Sequence, residues 1–256
     1  MSQINRIDGG LIDQEKVLNF TFNGQILKGY EGDTLASALL ANNKHLIGRS
    51  FKYHRPRGIV TAGSEEPNAI MEIGNGVYKD PNTRATVTQL YNGLEANSQN
   101  HRGPLSFDFM AITDFLSPLL GAGFYYKTFM WPKSFWEKFY EPAIRKSAGL
   151  GTLSTEADPD TYDKGFRHCD ILIIGSGATG LSAALTAAES GAKIILADED
   201  FLMGGRLNSE TNEIDGIAGS EWAKKTVAKL GVMENVTLTV SYTHLRAHET
   251  PEHLVC

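Results

Sequence analysis

Apolar and polar positions alternate most clearly near the start of the chain. Val17-Leu18-Asn19-Phe20-Thr21-Phe22 and Gln25-Ile26-Leu27-Lys28-Gly29-Tyr30 flank Asn23-Gly24, a pair suited to a two-residue turn because both turn positions need positive φ. The pattern predicts a β-hairpin over 17–31. Gly32-Asp33-Thr34 then opens a helix, with Asp33 expected to cap its free amides and Leu35, Ala38 and Leu39 on one face. Short strands are predicted at 69–73 and 85–90.

The pattern changes after residue 167. Ile171-Leu172-Ile173-Ile174 is a short apolar run suited to a strand buried on both faces. Gly175-Ser176-Gly177-Ala178-Thr179-Gly180 follows at once, then an alanine-rich helix over 181–190 that Gly191 ends. Lys193-Ile194-Ile195-Leu196-Ala197 is a second strand, finishing at Asp198. A helix over 220–230 and a third strand over 236–239 complete the periodic part. Between the two patterned regions lie three irregular ones. A basic segment, 44–58, sets Lys44, Arg49, Lys52, Arg55 and Arg57 around Phe51, Tyr53 and Pro56. An aromatic-rich stretch, 105–140, is broken by Pro118 and Pro132, with Pro142 just beyond. Residues 149–165 read as a linker.

Composition narrows the class. A chain of 256 residues has room for two domains, and 41% hydrophobic with 21% charged residues is a globular balance. A formal net charge of -6 argues against a nucleic-acid partner. Two cysteines, Cys169 and Cys256, make no disulfide framework and no clustered metal site, so a reducing, cytoplasmic setting is expected. Met1-Ser2-Gln3-Ile4-Asn5-Arg6 lacks the apolar core of a signal peptide. The most apolar run, 115–126, falls short of the roughly 20 residues that span a bilayer, so no membrane segment is expected.

Residues 240–256, Val-Ser-Tyr-Thr-His-Leu-Arg-Ala-His-Glu-Thr-Pro-Glu-His-Leu-Val-Cys, resemble one reading frame through a transposon-library sequencing adapter. They are expected to be a non-native tail and are set aside. With them go His244, His248, His253 and Cys256 as metal-ligand candidates, and the natural chain is expected to continue where the tail begins.

The glycine-rich loop carries the chemistry. Gly175 permits the tight strand-to-helix turn, Gly177 lets backbone approach a pyrophosphate, and Gly180 lets helix and strand pack closely. The amides of Ser176, Ala178 and Thr179 and the partial positive charge of the helix N-terminus face the same phosphates. Asp198, about 20 residues past the loop, is placed to accept hydrogen bonds from the adenine-side ribose, with Glu199 as the alternative. An acid there favours NAD or FAD over NADP. A lone GxGxxG is a weak signal, but here strand, loop, helix, second strand and acid come in order. Gly204-Gly205-Arg206-Leu207 adds a second glycine turn expected to pass close to the nucleotide.

The other motifs admit two readings each. Arg49, Arg55 and Arg57 suit a clamp on a phosphate or carboxylate, or else internal and interfacial ion pairs. His54 is expected to pack among its arginine neighbours and take no catalytic role. The aromatic stretch suits docking on a partner subunit or packing on its own domain. Cys169 reads as a small buried hydrophobe.

Gly-Asp-Thr-Leu-Ala-Ser-Ala-Leu (32–39), Arg-Ser-Phe-Lys-Tyr-His-Arg-Pro-Arg-Gly (49–58), Gly-Ser-Glu-Glu-Pro-Asn-Ala (63–69) and the 169–207 stretch together resemble the alpha subunits of heterotetrameric sarcosine oxidases. The resemblance implies a fold of mixed α+β and α/β class. A cluster-less, ferredoxin-like β-grasp domain would fill 1–100, a connecting segment 101–166, and a truncated Rossmann-like FAD/NAD-binding βαβ domain 167–239. It implies oxidation of sarcosine to glycine by oxygen, with tetrahydrofolate taking the one-carbon unit. NAD would bind at Gly175, Gly177 and Gly180, with FAD the other dinucleotide the motif admits, and a flavin would lie at the interface with the beta subunit. Beta, gamma and delta subunits are the implied partners. No catalytic residue falls in this chain, and the chain alone is expected to be inactive. The segment directly after Arg55-Pro56-Arg57-Gly58, Ile59-Val60-Thr61-Ala62-Gly63-Ser64, contains no cysteine, and an iron–sulfur cluster needs about four thiolates. The alternatives are the matching subunit of an amine or opine dehydrogenase that uses another electron acceptor, and an assembly module whose nucleotide is structural.

Overall fold

A computed structural model describes residues 3, 5–7, 10–127, 129, 131–147, 151–161 and 165–240. All but the first residue of the expected tail lies outside this range. The chain divides into two compact units, Met1–Thr161 and Tyr162–Cys256. Among the described residues no helix is long and apolar enough to cross a membrane.

In the first unit the hairpin forms as the alternation predicts. Strand β1 (Asp13–Phe22) pairs antiparallel with β2 (Gln25–Glu31), Phe22 opposite Gln25 across Asn23 and Gly24, whose φ values are 49° and 76°. Helix α1 (Leu35–Ala41) follows, but its cap is Thr34, one residue later than expected. Thr34 Oγ1 accepts from Ser37 N–H and Ser37 Oγ accepts from Thr34 N–H, both at 3.0 Å, a reciprocal capping box. Asp33 is buried instead in a network of its own. It accepts from Tyr30 N–H (2.9 Å), Ser37 Oγ (2.5 Å) and both terminal nitrogens of Arg6 (3.2 and 2.7 Å).

Strands β3 (Gly48–Arg49) and β4 (Pro56–Arg57) form a two-stranded pair inside the basic segment. The main sheet is completed by β5 (Ile70–Ile73), β6 (Asp80–Arg84) and β7 (Glu95–Ser98), in the order β2-β1-β7-β5-β6, with β7 parallel to β1. The strand expected at 85–90 does not form. That segment turns over the start of α1, where Ala85 O accepts from Ala36 N–H and Thr88 O from Leu35 N–H, both at 2.9 Å, leaving fewer backbone groups for a ladder. Phe20, Phe22, Leu27, Leu35, Leu39, Ile47, Met71, Leu90 and Leu94 make the core between sheet and helix. Beyond it run three short helices, α2 (Ile112–Phe115), α3 (Phe124–Lys127) and α4 (Glu141–Ser147). Aromatic side chains of this region stay in solvent: Phe115 is 88% exposed and Trp131 84%.

The second unit is a parallel sheet. Strand β8 (Ile171–Ile174), helix α5 (Ala178–Glu189), strand β9 (Ile194–Ala197), the small pair β10 (Glu213–Ile214) and β11 (Ile217–Ala218), helix α6 (Gly219–Gly231) and strand β12 (Val236–Thr239) follow in order. The sheet order is β12-β9-β8 with every pairing parallel. Ile173, Ile194, Leu196, Val236 and Leu238 pack with Leu181, Ala184 and Ala188 of α5 and Ala223 and Leu230 of α6. The expectation of a strand buried on both faces is corrected for β8: Leu172 is 49% exposed and Ile174 68%. It is the edge strand of the described sheet, and these two alternate with Ile173, the one of the three that joins the helix-side core.

Candidate dinucleotide site

The loop between β8 and α5 has the geometry its glycines dictate. Gly175 sits at φ 94°, open to glycine and costly for side-chain-bearing residues. A Cβ at Gly180 would lie 1.8 Å from Gly175 O, so helix and loop approach to a distance that excludes even alanine. A Cβ at Gly177 would meet nothing within 4 Å, so the space in front of that residue is open. Gly177 is also the N-cap residue of α5, and the first helical hydrogen bond runs from Leu181 N–H to Gly177 O at 2.9 Å. The amides of Ala178, Thr179 and Gly180 therefore stand at the helix end without helical acceptors. Open space, free amides and the helix dipole converge there, an arrangement suited to a diphosphate.

Ser176, fully buried, joins the rest of the motif. Its N–H and its Oγ both donate to Asp198 Oδ2 at 2.5 Å, and its Oγ accepts from Gly204 N–H at 3.1 Å. Asp198 Oδ1 accepts from Asp200 N–H at 2.9 Å. Asp198, at the end of β9, is only 7% exposed, and its carboxylate holds the glycine loop in place. The sequence points to an acid at this position but not to its bonding, because the Ser176 contact is made across the sheet edge. Glu199, next in the chain, is partly buried.

The Gly204-Gly205 turn lands on the loop. A Cβ at Gly205, whose φ is 52°, would come 3.2 Å from Gly177 Cα. Both glycine segments are thus brought together, as their composition suggests. Arg206 points its charge elsewhere: it is exposed and its Nε bonds Glu210 Oε1 at 2.7 Å. Cys169 is partly exposed, not the fully buried hydrophobe expected.

In the first unit two buried acids were not anticipated. Glu66 accepts from Val60 N–H (2.8 Å), Thr61 N–H (2.6 Å), Thr61 Oγ1 (3.2 Å) and Asn68 N–H (2.7 Å). Burial pushes its carboxyl up, but the amides of Thr61, Asn68 and Val60 outweigh that and hold it below the ordinary range. Asp108 accepts from Arg102 N–H and Met110 N–H and pairs with His54 Nδ1 at 2.6 Å; burial again opposes, and the amides and His54 again prevail. His54 is therefore buried against an acid, and Arg49 also donates to its carbonyl oxygen at 3.2 Å. Among the described residues no group of three or more His, Cys, Asp or Glu is placed to hold a metal ion.

A glycine loop of this geometry between parallel strands, with an acid at the next strand end, is the arrangement that dinucleotide-binding domains use. Residues 170–249 match the family described as FAD dependent oxidoreductase, a match that runs on into the segment set aside as a tail. Residues 15–101 match the family described as 2Fe-2S iron-sulfur cluster binding domain. Along most of its length the chain is homologous to sarcosine oxidase subunit alpha. It is 58% identical to that of Rhizobium meliloti (strain 1021) over 91% of this chain, and 33% identical to that of Corynebacterium sp. (strain U-96) over 90%. It spans 24% of the first relative's length and 19% of the second's.

The cluster named by the first family description does not fit these residues. Both cysteines of the chain, Cys169 and Cys256, lie outside 15–101, and thiolates are the ligands such clusters take. The loop that follows Gly58 has its amides turned onto Glu66 instead.

Proposed function

We propose that this chain supplies the dinucleotide-binding part of a sarcosine oxidase-type alpha subunit, within a complex that oxidises sarcosine to glycine with oxygen, tetrahydrofolate accepting the one-carbon unit. The observation that carries the reading is the open cradle at Gly177, faced by the free amides of α5 and backed by the Gly205 turn; the 58% identity supplies the reaction class. The residues that form this site are Gly175 to Gly180, Asp198, Glu199, Gly204 and Gly205, while Arg206 of the same turn is directed to Glu210. With Asp198 committed to Ser176, we assign the ribose hydrogen bonds to Glu199 and leave Asp198 the task of shaping the loop. These residues serve the adenosine diphosphate half, which NAD and FAD share. The family description favours a flavin, and the resemblance to the alpha subunits favours NAD, with a flavin at the beta-subunit interface.

The second unit is then a Rossmann-like domain, the first a β-grasp domain without a cluster, and 101–166 the segment between them. Its exposed aromatics suit docking on the beta, gamma or delta subunit, in a cytoplasmic complex. No residue of this chain takes a catalytic role.

Two measurements test this. Co-expression of the full-length subunit with its partners is expected to give peroxide from sarcosine, and a folded complex without sarcosine-dependent peroxide would defeat the substrate assignment. In the same complex, Gly177→Val is expected to fold, because its side chain enters open space, and to lose at least 90% of the bound dinucleotide, read by release and chromatography. Full retention would defeat the site.

A further inference from the structure

The first unit holds a second concave feature that the dinucleotide reading does not use. Strands β3 and β4, Asn82 of β6 and the bends at Asn68 and Asn100 enclose a cavity of about 220 Å³. Arg49, Arg57, Asn68 and Asn100 line it, together with Ser50 and Phe51, and no acidic side chain does. That is below the roughly 300–1,000 Å³ of pockets that hold whole drug-sized ligands, so it suits one compact group with the remainder of a molecule outside.

The charges in its wall are not neutralised. Arg49 donates to Leu105 O (3.0 and 2.6 Å) and His54 O (3.2 Å), which fixes the guanidinium against carbonyls and leaves it without a carboxylate. Arg57 is exposed and its side chain has no hydrogen bond or ion pair among the described residues. Its neighbours are engaged: Arg55 with Asp114, Lys44 with Gln25, Lys52 with Gly121 O. Arg57 is thus the cation of this segment that faces a cavity with its donors unused.

Asn100 is locked into the cavity wall by its own amide. Asn100 Nδ2 donates to Arg49 O (3.1 Å) and Ser50 O (2.7 Å), two carbonyls that fix which end of the amide is nitrogen, and Asn100 Oδ1 is buried without a partner. That oxygen is closed off from the cavity, so the ligand is selected by the guanidinium donors. A phosphate dianion offers them more charge and more acceptor oxygens than a carboxylate, and Arg is the residue best matched to its geometry. Phe51, 49% exposed, offers a ring against which the ligand's remainder can lie.

We propose that this cleft binds the phosphate group of a small molecule, with Arg57 as its principal charged contact and Asn68 as a polar one. The test is amide chemical-shift titration of the full chain with inorganic phosphate, against sodium acetate and sodium chloride at matched ionic strength. Saturable shifts at Ser50, Asn68, Asn82 and Asn100 are expected with phosphate, at least tenfold weaker binding with acetate, and none with chloride. Arg57→Gln, at an exposed position, is expected to keep the remaining spectrum and weaken phosphate at least tenfold. Equal affinity for acetate, shifts that do not saturate, or unchanged binding in Arg57→Gln would overturn the proposal.

Discussion

At the scale of single residues, buried acids organise loops in both units. Glu66 gathers four donors, and its lowered pKa fixes the direction of its pH dependence. The stabilisation it gives is complete above the carboxyl's unfolded value of about 4.3 and is lost as pH falls through the lower folded value. Glu66→Gln turns an amide NH₂ toward backbone donors, and should cost roughly 2 kcal/mol at pH 7. In denaturant melts of the first unit, the gap between wild type and variant should narrow as pH drops below about 4; a gap independent of pH would contradict the assignment. Asp198 and Glu199 separate in the same way. Asp198→Asn should lower the melting temperature of the second unit, since Ser176 loses a charged acceptor. Glu199→Ala should weaken dinucleotide about tenfold by calorimetry on the assembled subunit, the worth of one hydrogen bond to a charged group. The reverse pattern would return the ribose contact to Asp198.

At the scale of elements, legibility followed the strength of the local signal. The hairpin announced itself because Asn23 and Gly24 both occupy positive φ and apolar residues alternate on either side. Helix α5 and strand β9 did so through alanine content and an apolar run bounded by Gly191 and Asp198. Strand β7, Glu-Ala-Asn-Ser, carried no such signal: one small residue, Ala96, faces the core, and its place between β1 and β5 supplies the ladder that its own sequence would not predict. Strand β6 contains Pro81, tolerable because it lies at the sheet edge. The cap of α1 tests how far local chemistry carries. Thr34→Ala removes one half of the capping box and should cost about 1 kcal/mol, read in the melting of the first unit. Asp33→Ala should cost clearly more, because it leaves Arg6 largely buried with no carboxylate opposite it.

At the scale of the whole molecule, the two units carry different amounts of chemistry. The second offers a recognisable nucleotide cradle; the first matches a cluster-binding family without any cysteine in the matched residues. Purified complex should accordingly contain no stoichiometric iron or acid-labile sulfide attributable to this subunit, and two irons per alpha subunit would refute the cluster-free reading. The sequence alone determined that a strand–glycine-loop–helix unit exists and where it lies, because strand, glycines, helix and acid are contiguous and each acts through backbone geometry that its own residue type dictates. It also excluded thiolate ligands from the first domain, which is a matter of composition. Only the tertiary structure decided what the acids do. Asp198 meets Ser176, Glu66 meets Val60 and Thr61, and His54 meets Asp108 through chain reversals whose partners are set by packing, not by spacing along the chain. The same holds for the cleft at Arg57, whose walls come from segments far apart along the chain.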